Sequence, residues 1–415
     1  MDRVILHSDA NSFYASVECL YNPDIRDKPV AVCGDPEARH GIVLTKNQQA
    51  KRYGVKTGEA IWQAMRKCPN LVVVAPRYDM YRRFSRLLRE IYVDFSDRVE
   101  AFGLDECWID VSGKNADAET GRAIADEIRR RVREELGITV SVGVSFNKVF
   151  AKLGSDMKKP DATTVISREN YQNSVWNLPA SNMLFVGRSV MKKLLQIGVI
   201  TVGDLANADE ALLRASIGKA GLMLKTFAMG LDDQPVMRYT DSVAEKSIGN
   251  SVTPPKDMET MDDVRCVIYM LAESVASRLR KAGLKSGLVS VAVRKPSLDW
   301  YSHQRRIKVS TNITDDIARL AMTLYMEKFS AWLPLRGMGV QCSLLVPDSV
   351  PVQIDMLGRI EKTQKLETLD KTIDNLRQRF GYGVIRRGVV LINEAFKRAD
   401  SFGEHINIGS AQFHL

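Results

Sequence analysis

The chain has 415 residues, more than one hydrophobic core usually organises, so several domains are expected. Apolar residues make up 45% and charged residues 26%, which excludes a disordered chain and fits an ordinary folded protein. Lys plus Arg outnumber Asp plus Glu by 59 to 50, a net +9 that admits a polyanionic partner without requiring one, and no apolar run reaches the roughly eighteen residues of a membrane span.

The six cysteines stand far apart with no CxxC pair, so reduced, buried thiols are expected rather than a zinc site or disulfide framework. The opening Met1-Asp2-Arg3-Val4-Ile5-Leu6-His7 is too short an apolar run for a signal peptide, and a cytoplasmic location is expected.

Val4-Ile5-Leu6 reads as a short buried strand ending at Asp9. Short helical and strand signals follow, with turns at Asn22-Pro23, Gly34-Asp35-Pro36 and Cys68-Pro69. From Val99 to Ser112 two strands are predicted, joined tightly near Gly103. A helix is predicted from Ala116 to Leu136, where Ile124, Ile128, Val132 and Leu136 recur every fourth position and Gly137 stops it. Ile138, Val140, Val142 and Val144 then alternate with small or polar residues, the pattern of a one-sided strand. This order suggests an α+β sheet with helices packed on one face. From Ser167 to Val236 the pattern changes to short helices and Gly-bearing turns. Lys246 to Pro347 returns to strand–helix–strand patterning, with helices predicted at Val264–Leu279 and Ile317–Phe329 and strands at Gly287–Val293 and Gly339–Val346. Pro347 to Pro351 reads as a linker, and an amphipathic helix is predicted near Leu366–Phe380, packing on the protein itself.

Phosphoryl transfer to a hydroxyl asks the protein mainly for cations at the attacking and leaving oxygens, held by clustered carboxylates on rigid elements. Asp9 at a strand end and Asp105-Glu106 beside a tight hairpin can form such a cluster. Spacing alone favours a plainer reading, a cap residue and a solvated hairpin tip, because acidic turns are common.

The flanking residues change that balance. Ser8-Asp9-Ala10-Asn11-Ser12-Phe13-Tyr14-Ala15-Ser16-Val17-Glu18 closely resembles the first motif of the Y-family, or translesion, DNA polymerases. Leu104-Asp105-Glu106-Cys107-Trp108-Ile109-Asp110 resembles the second, and the stretch from Val142 to Pro160 resembles the third. The resemblance, to the bacterial polymerase IV or UmuC type, implies a right-hand architecture. A ferredoxin-like palm would span 1–12 and 80–166, small fingers 13–79, a helical thumb with a helix-hairpin-helix 167–236, and an added α/β little finger 244–347. Residues 348–415 would hold the linker, a clamp-binding peptide and a C-terminal helix. The implied activity is template-directed, low-fidelity nucleotidyl transfer from a dNTP to a primer 3′-hydroxyl, in translesion synthesis and DNA repair.

By the same resemblance Asp9, Asp105 and Glu106, with the Ala10 carbonyl, would hold two Mg²⁺ ions. Tyr14 would be the gate that clashes with a ribose 2′-hydroxyl, beside Phe13. Thr45, Gln48, Lys51 and Lys159 would contact the dNTP. Gln48 and Lys51 stand where Tyr and Arg are commoner, and Lys51 lacks the fork of an arginine. Leu184 to Leu194, with Gly187, Arg188 and Lys192, resembles a helix-hairpin-helix that meets phosphates through backbone N–H groups. Ile217–Gly221 is either a second copy or a plain helical turn. Between Arg278 and Lys308 nine basic residues, among them Arg294, Lys295, Arg305 and Arg306, face one acid, Asp299, where the family places its extra DNA-binding domain. Gln353-Ile354-Asp355-Met356-Leu357, through Gln353, Met356 and Leu357, resembles the peptide by which bacterial polymerases bind the sliding clamp. The protein would act as a monomer on primer-template DNA. The rivals are a catalytically silent DNA-binding homologue, disfavoured by the intact carboxylates, and a nucleotide cyclase, in which a basic third domain has no purpose.

Overall fold

The strand that begins at Val4-Ile5-Leu6 becomes β1, Ile5–Ala10, buried at every position and central in its sheet. The structure, a computed structural model, describes residues 3–37, 41–113, 117–241, 244–350 and 359–391. The chain divides into two compact units, whose main segments are residues 1–34 with 42–241, and residues 242–406.

The first unit continues with β2 (Val30–Cys33), β3 (Val43–Lys46), β4 (Val72–Val74), β5 (Val99–Ala101), β6 (Glu106–Asp110), β7 (Val140–Ser145) and β8 (Thr163–Ile166). Five of these form a sheet in the order β5-β6-β1-β7-β8, and β3-β2-β4 form a smaller one. β1 lies antiparallel to both β6 and β7, and β7 runs parallel to β8. β5 and β6 are the expected hairpin, with Gly103 at φ 91° where an L side chain would be strained.

The expectation of helices on one face is corrected. Val4, Leu6, Val140, Val142 and Val144 face a core shared with helices Tyr78–Val93 and Ala118–Leu136. The opposite face is covered as well, by helix Lys148–Met157. β7 is therefore not one-sided but buried at all six positions. Its small residues are the reason: a Cβ at Gly143 would lie 1.9 Å from Ala151 O and 2.5 Å from Ser155 N. The alternation of Val with Gly and Ser marked a close helix approach, not solvent.

Residues 171–228 fold as short helices around a core that includes Leu194, Leu205, Leu213 and Phe227. The stretch Ile217–Gly221 resolves into two helices, Glu210–Ile217 and Lys219–Ala228, hinged at Gly218 with φ 79°. Gly221 lets them approach, since a Cβ there would meet Leu213 O at 2.8 Å.

The second unit has β9 (Ser247–Val252), β10 (Leu284–Arg294), β11 (Trp300–Thr311) and β12 (Gly337–Pro347), ordered β11-β10-β12-β9 and antiparallel throughout. Helices Met261–Lys281 and Thr314–Phe329 cover one face, where Val289, Val291, Val293 and Val340 are buried. β9 and β11 were not expected from the sequence. β11 has an exposed, charged run where apolar alternation would mark a strand. The predicted amphipathic helix spans Arg359–Phe380 and packs within its own unit, with Arg280 bonded to both Asp370 and Asp374. Among the described residues no helix is long and apolar enough to cross a membrane.

Candidate active site

The register of the central sheet brings the carboxylates together. Asp9, near the end of β1, pairs across the sheet with Glu106 at the start of β6. The Ala10 N–H donates to Asp105 O at 3.0 Å, which fixes the hairpin end against the strand end. Asn11 holds the next turn: its Oδ1 accepts from Asp161 N at 2.8 Å and Thr139 Oγ1 at 3.1 Å, and its Nδ2 donates to Ser141 Oγ at 2.9 Å.

Asp9 is buried, Asp105 and Glu106 are half-buried, and the three acids lie close enough to oppose one another's ionisation. Burial, opposed by Lys159 and reinforced by Glu106, pushes Asp9 up to about 6. Burial, with Asp9 and Glu106 close by, pushes Asp105 up to about 7. Glu106 goes the other way. Burial opposes its ionisation, but contacts from His7 and Lys152 bring it down to about 2. His7 is itself pushed down to about 4 by burial, so at neutral pH Lys152 supplies the balancing charge.

Two lysines sit on the acids. Lys159 Nζ lies 2.7 Å from Asp9 Oδ2 and 2.8 Å from Asp156 Oδ1, and Lys152 pairs with Glu106. Among the described residues no three His, Cys, Asp or Glu side chains stand ready-arranged around a metal ion. The donor chemistry nevertheless fits one: carboxylates whose ionisation is opposed by one another are what a hard divalent cation relieves. A cation held there would compete with Lys159 and Lys152 for those oxygens.

Tyr14 and Phe13 begin helix Phe13–Tyr21. Phe13 is buried in the core, and Tyr14 lies flat on Tyr81, ring centres 4.1 Å apart and planes 9° apart. Tyr81 Oη donates to the buried Glu18 at 2.6 Å, and Arg77 closes on the same carboxylate. Burial, then Asp105, pushes the Tyr14 phenol up to about 12, which keeps it neutral.

Thr45 lies on β3, and Gln48 and Lys51 on the short helix Gln48–Arg52, capped by Asn47, whose Oδ1 accepts from Ala50 N at 2.9 Å. Gln48 lines a cleft of about 250 Å³ with Asn11, Ser12, Thr139 and Pro160. Burial and then the Lys51 charge hold the Lys46 ammonium below its ordinary value. Gly187 caps helix Arg188–Gln196 with no side-chain cap bond, leaving its first amides open.

The second unit separates the four basic candidates by face. Arg305 pairs in register with buried Val289, bonds Glu327, and so lies on the helix side. Lys295 also packs there, 4.0 Å from the Trp332 ring centre. Arg294 and Arg306 lie on the opposite, uncovered face, Arg306 beside Leu288. Gln353, Met356 and Leu357 lie outside the described residues.

Sequence reading missed Lys152, His7 and the Glu18–Tyr81 support. Lys152 and Glu18 lay inside the quoted motifs, but only the fold shows which side chains they meet. Lys152 sits one turn beyond Lys148 on the helix that Gly143 admits.

The chain matches the impB/mucB/samB family over residues 8–156 and that family's C-terminal domain over 245–356. It is 49% identical over 398 residues to DNA polymerase IV of Acetivibrio thermocellus, covering 96% of this chain and 100% of that one. It is 35% identical over 401 residues to DNA polymerase IV 1 of Bacillus subtilis, covering 95% of each. A solved Y-family DNA polymerase chimera matches with a TM-score of 0.73 at 26% identity, covering 83% of this chain and 99% of that one. The chain belongs to the impB/mucB/samB family, as a Y-family DNA polymerase of the DNA polymerase IV kind, a template-directed, low-fidelity enzyme of translesion synthesis and DNA repair.

Proposed function

We propose that Asp9, Asp105 and Glu106 form the catalytic centre and that the residues around them divide the work of nucleotidyl transfer. The observation that supports this best is the meeting of the three carboxylates where β1 ends and β6 begins, with Tyr14 stacked on Tyr81. The family is divalent-metal-dependent and acts on primer-template DNA and dNTPs; the finer reading is two Mg²⁺ ions, held by Asp9, Asp105, Glu106 and the Ala10 carbonyl. When bound, they would acidify the primer 3′-hydroxyl and neutralise charge on the transferring phosphate.

Lys159, once released from Asp9, would take a triphosphate oxygen, together with Thr45, Gln48 and Lys51. The cleft beside Gln48 gives the triphosphate end room on that side. Tyr14, backed by Tyr81, presents a fixed ring where a 2′-hydroxyl would collide.

The five-stranded sheet region would be the palm (1–12 and 80–166), the three-stranded one the fingers (13–79), residues 167–236 the thumb, and 244–347 the little finger. Gly187, Arg188 and Lys192 would meet DNA phosphates at the uncapped helix start. Arg294 and Arg306 would do so on the uncovered sheet face, with Lys295 and Arg305 contributing less because each is engaged on the helix side. Gln353, Met356 and Leu357 would bind the sliding clamp, tethering a monomeric, cytoplasmic enzyme to its template.

Extension of primed DNA by one dNTP with Mg²⁺ tests the whole assignment. Asp105→Ala should abolish it while leaving DNA binding nearly intact. Full extension by that variant would remove Asp105 from the chemistry.

A further inference from the structure

We propose that Trp300 is a stacking platform for an unpaired DNA base, at the corner of the uncovered face of the second sheet. The inference rests on reading that face as a DNA surface and deepens it. Trp300 pairs in register with Arg294, so both side chains lie on the side away from the helices. The Trp300 residue is 46% exposed, much apolar surface to leave in water. The side toward β12 does not cover it. Arg294 is flanked on β12 by Gly337, and Ala292 by Gly339, so the floor beside the indole is nearly bare backbone. Filling that floor would meet resistance, since a Cβ at Gly337 would lie 3.0 Å from Val252 O.

The surrounding charge selects the occupant. The Arg294 guanidinium carbon stands 5.7 Å from the indole centre. Further along β11, on the same face, Arg306 has no ion-pair partner among the described residues. The run from Trp300 to Arg306 is about 20 Å at the rise of a strand, long enough for an extended oligonucleotide to touch both ends. The other aromatics nearby lie on the other face: Tyr301, itself 41% exposed, packs edge to face on Trp332 on the helix side, centres 4.9 Å apart. An exposed π-face with cations along one track is the combination that holds single-stranded nucleic acid. A duplex hides the faces of its bases within the stack, so it would engage the cations and leave the indole unused.

The experiment uses the full chain with an oligo(dT) of about twelve nucleotides and, separately, a blunt duplex, each titrated at several salt concentrations. Oligo(dT) should quench wild-type tryptophan emission more than that of Trp300→Phe, which keeps a stacking ring but loses this indole. Trp300→Ala should weaken oligo(dT) binding about tenfold, with the slope of log K against log salt unchanged and duplex binding preserved. Equal quenching in wild type and Trp300→Phe overturns the proposal even if Trp300→Ala fails to fold. Equal losses on oligo(dT) and duplex, or no loss on oligo(dT), overturn it too. Primer extension by the wild type is run alongside. Its absence would sink the polymerase reading itself, whereas normal extension with an unaffected Trp300→Ala would sink the stacking role alone.

Discussion

Tyr14 lies face to face on Tyr81, ring centres 4.1 Å apart, and Tyr81 is held in turn by Glu18 and Arg77. A ring that excludes a ribose by overlap is selective only if it cannot retreat. Tyr81→Leu should therefore raise ribonucleotide incorporation without touching the sugar, by about tenfold, or ~1.4 kcal/mol of discrimination. Tyr14→Ala should raise it further. The ratio of kcat/KM for matched ribo- and deoxynucleotides measures both, and an unchanged ratio in Tyr81→Leu would show that Tyr14 needs no support.

The raised Asp9 and Asp105 carboxyls set a pH dependence whose sign follows from linkage. Their folded values, about 6 and about 7, lie above the ordinary aspartate value of 3.8. In the metal-free protein their stabilising contribution is full below pH 3.8 and is lost as pH rises through 6 and 7. A divalent cation needs the ionised forms, so its stabilisation grows over the same window. The rise in Tm on adding Mg²⁺ should be roughly twofold larger at pH 8 than at pH 5.5. Glu106, brought down to about 2, stays ionised throughout and should not contribute to the change. An equal rise at both pH values would show that these aspartates do not hold the ion.

Asp105→Asn separates stability from chemistry. It removes a charge whose formation is opposed by burial, Asp9 and Glu106. The metal-free variant should melt higher than wild type at pH 8 and extend primers on the order of a thousandfold more slowly. A lower metal-free Tm would mean that the ionised Asp105 is satisfied by its surroundings.

Gly143→Ala should be strongly destabilising, by roughly 3 kcal/mol, because its Cβ would overlap the helix carrying Lys152. Gly113→Ala, where a Cβ meets nothing within 4 Å, serves as the neutral control. Urea midpoints of the two variants check the contrast.

Arg306→Ala should lower the slope of log K against log salt for duplex binding by about 0.9, the share of one phosphate contact. Arg305→Ala should change it less, since Arg305 is paired with Glu327 on the helix side. Equal effects would mean that Arg305 leaves its partner to reach DNA.

The sequence by itself determined the motifs and most of the elements. Asp9, Asp105 and Glu106 could be named because three stretches of residues stand in a fixed order, and helix Ala118–Leu136 could be read from its apolar repeat. Local chemistry is written in local residues. What depended on contacts between distant segments was not legible. The alternation Val140, Val142, Val144 looked half-exposed, yet Gly143 is buried because a helix presses on it from the other side. The basic run from Arg278 to Lys308 looked uniform until β11 formed and its pleat sent Arg305 and Arg306 to opposite faces. Lys152 was one lysine among several until the fold set it against Glu106. Period and composition are properties of a segment, whereas burial, ion pairing and the face of a sheet are decided only by what packs against it.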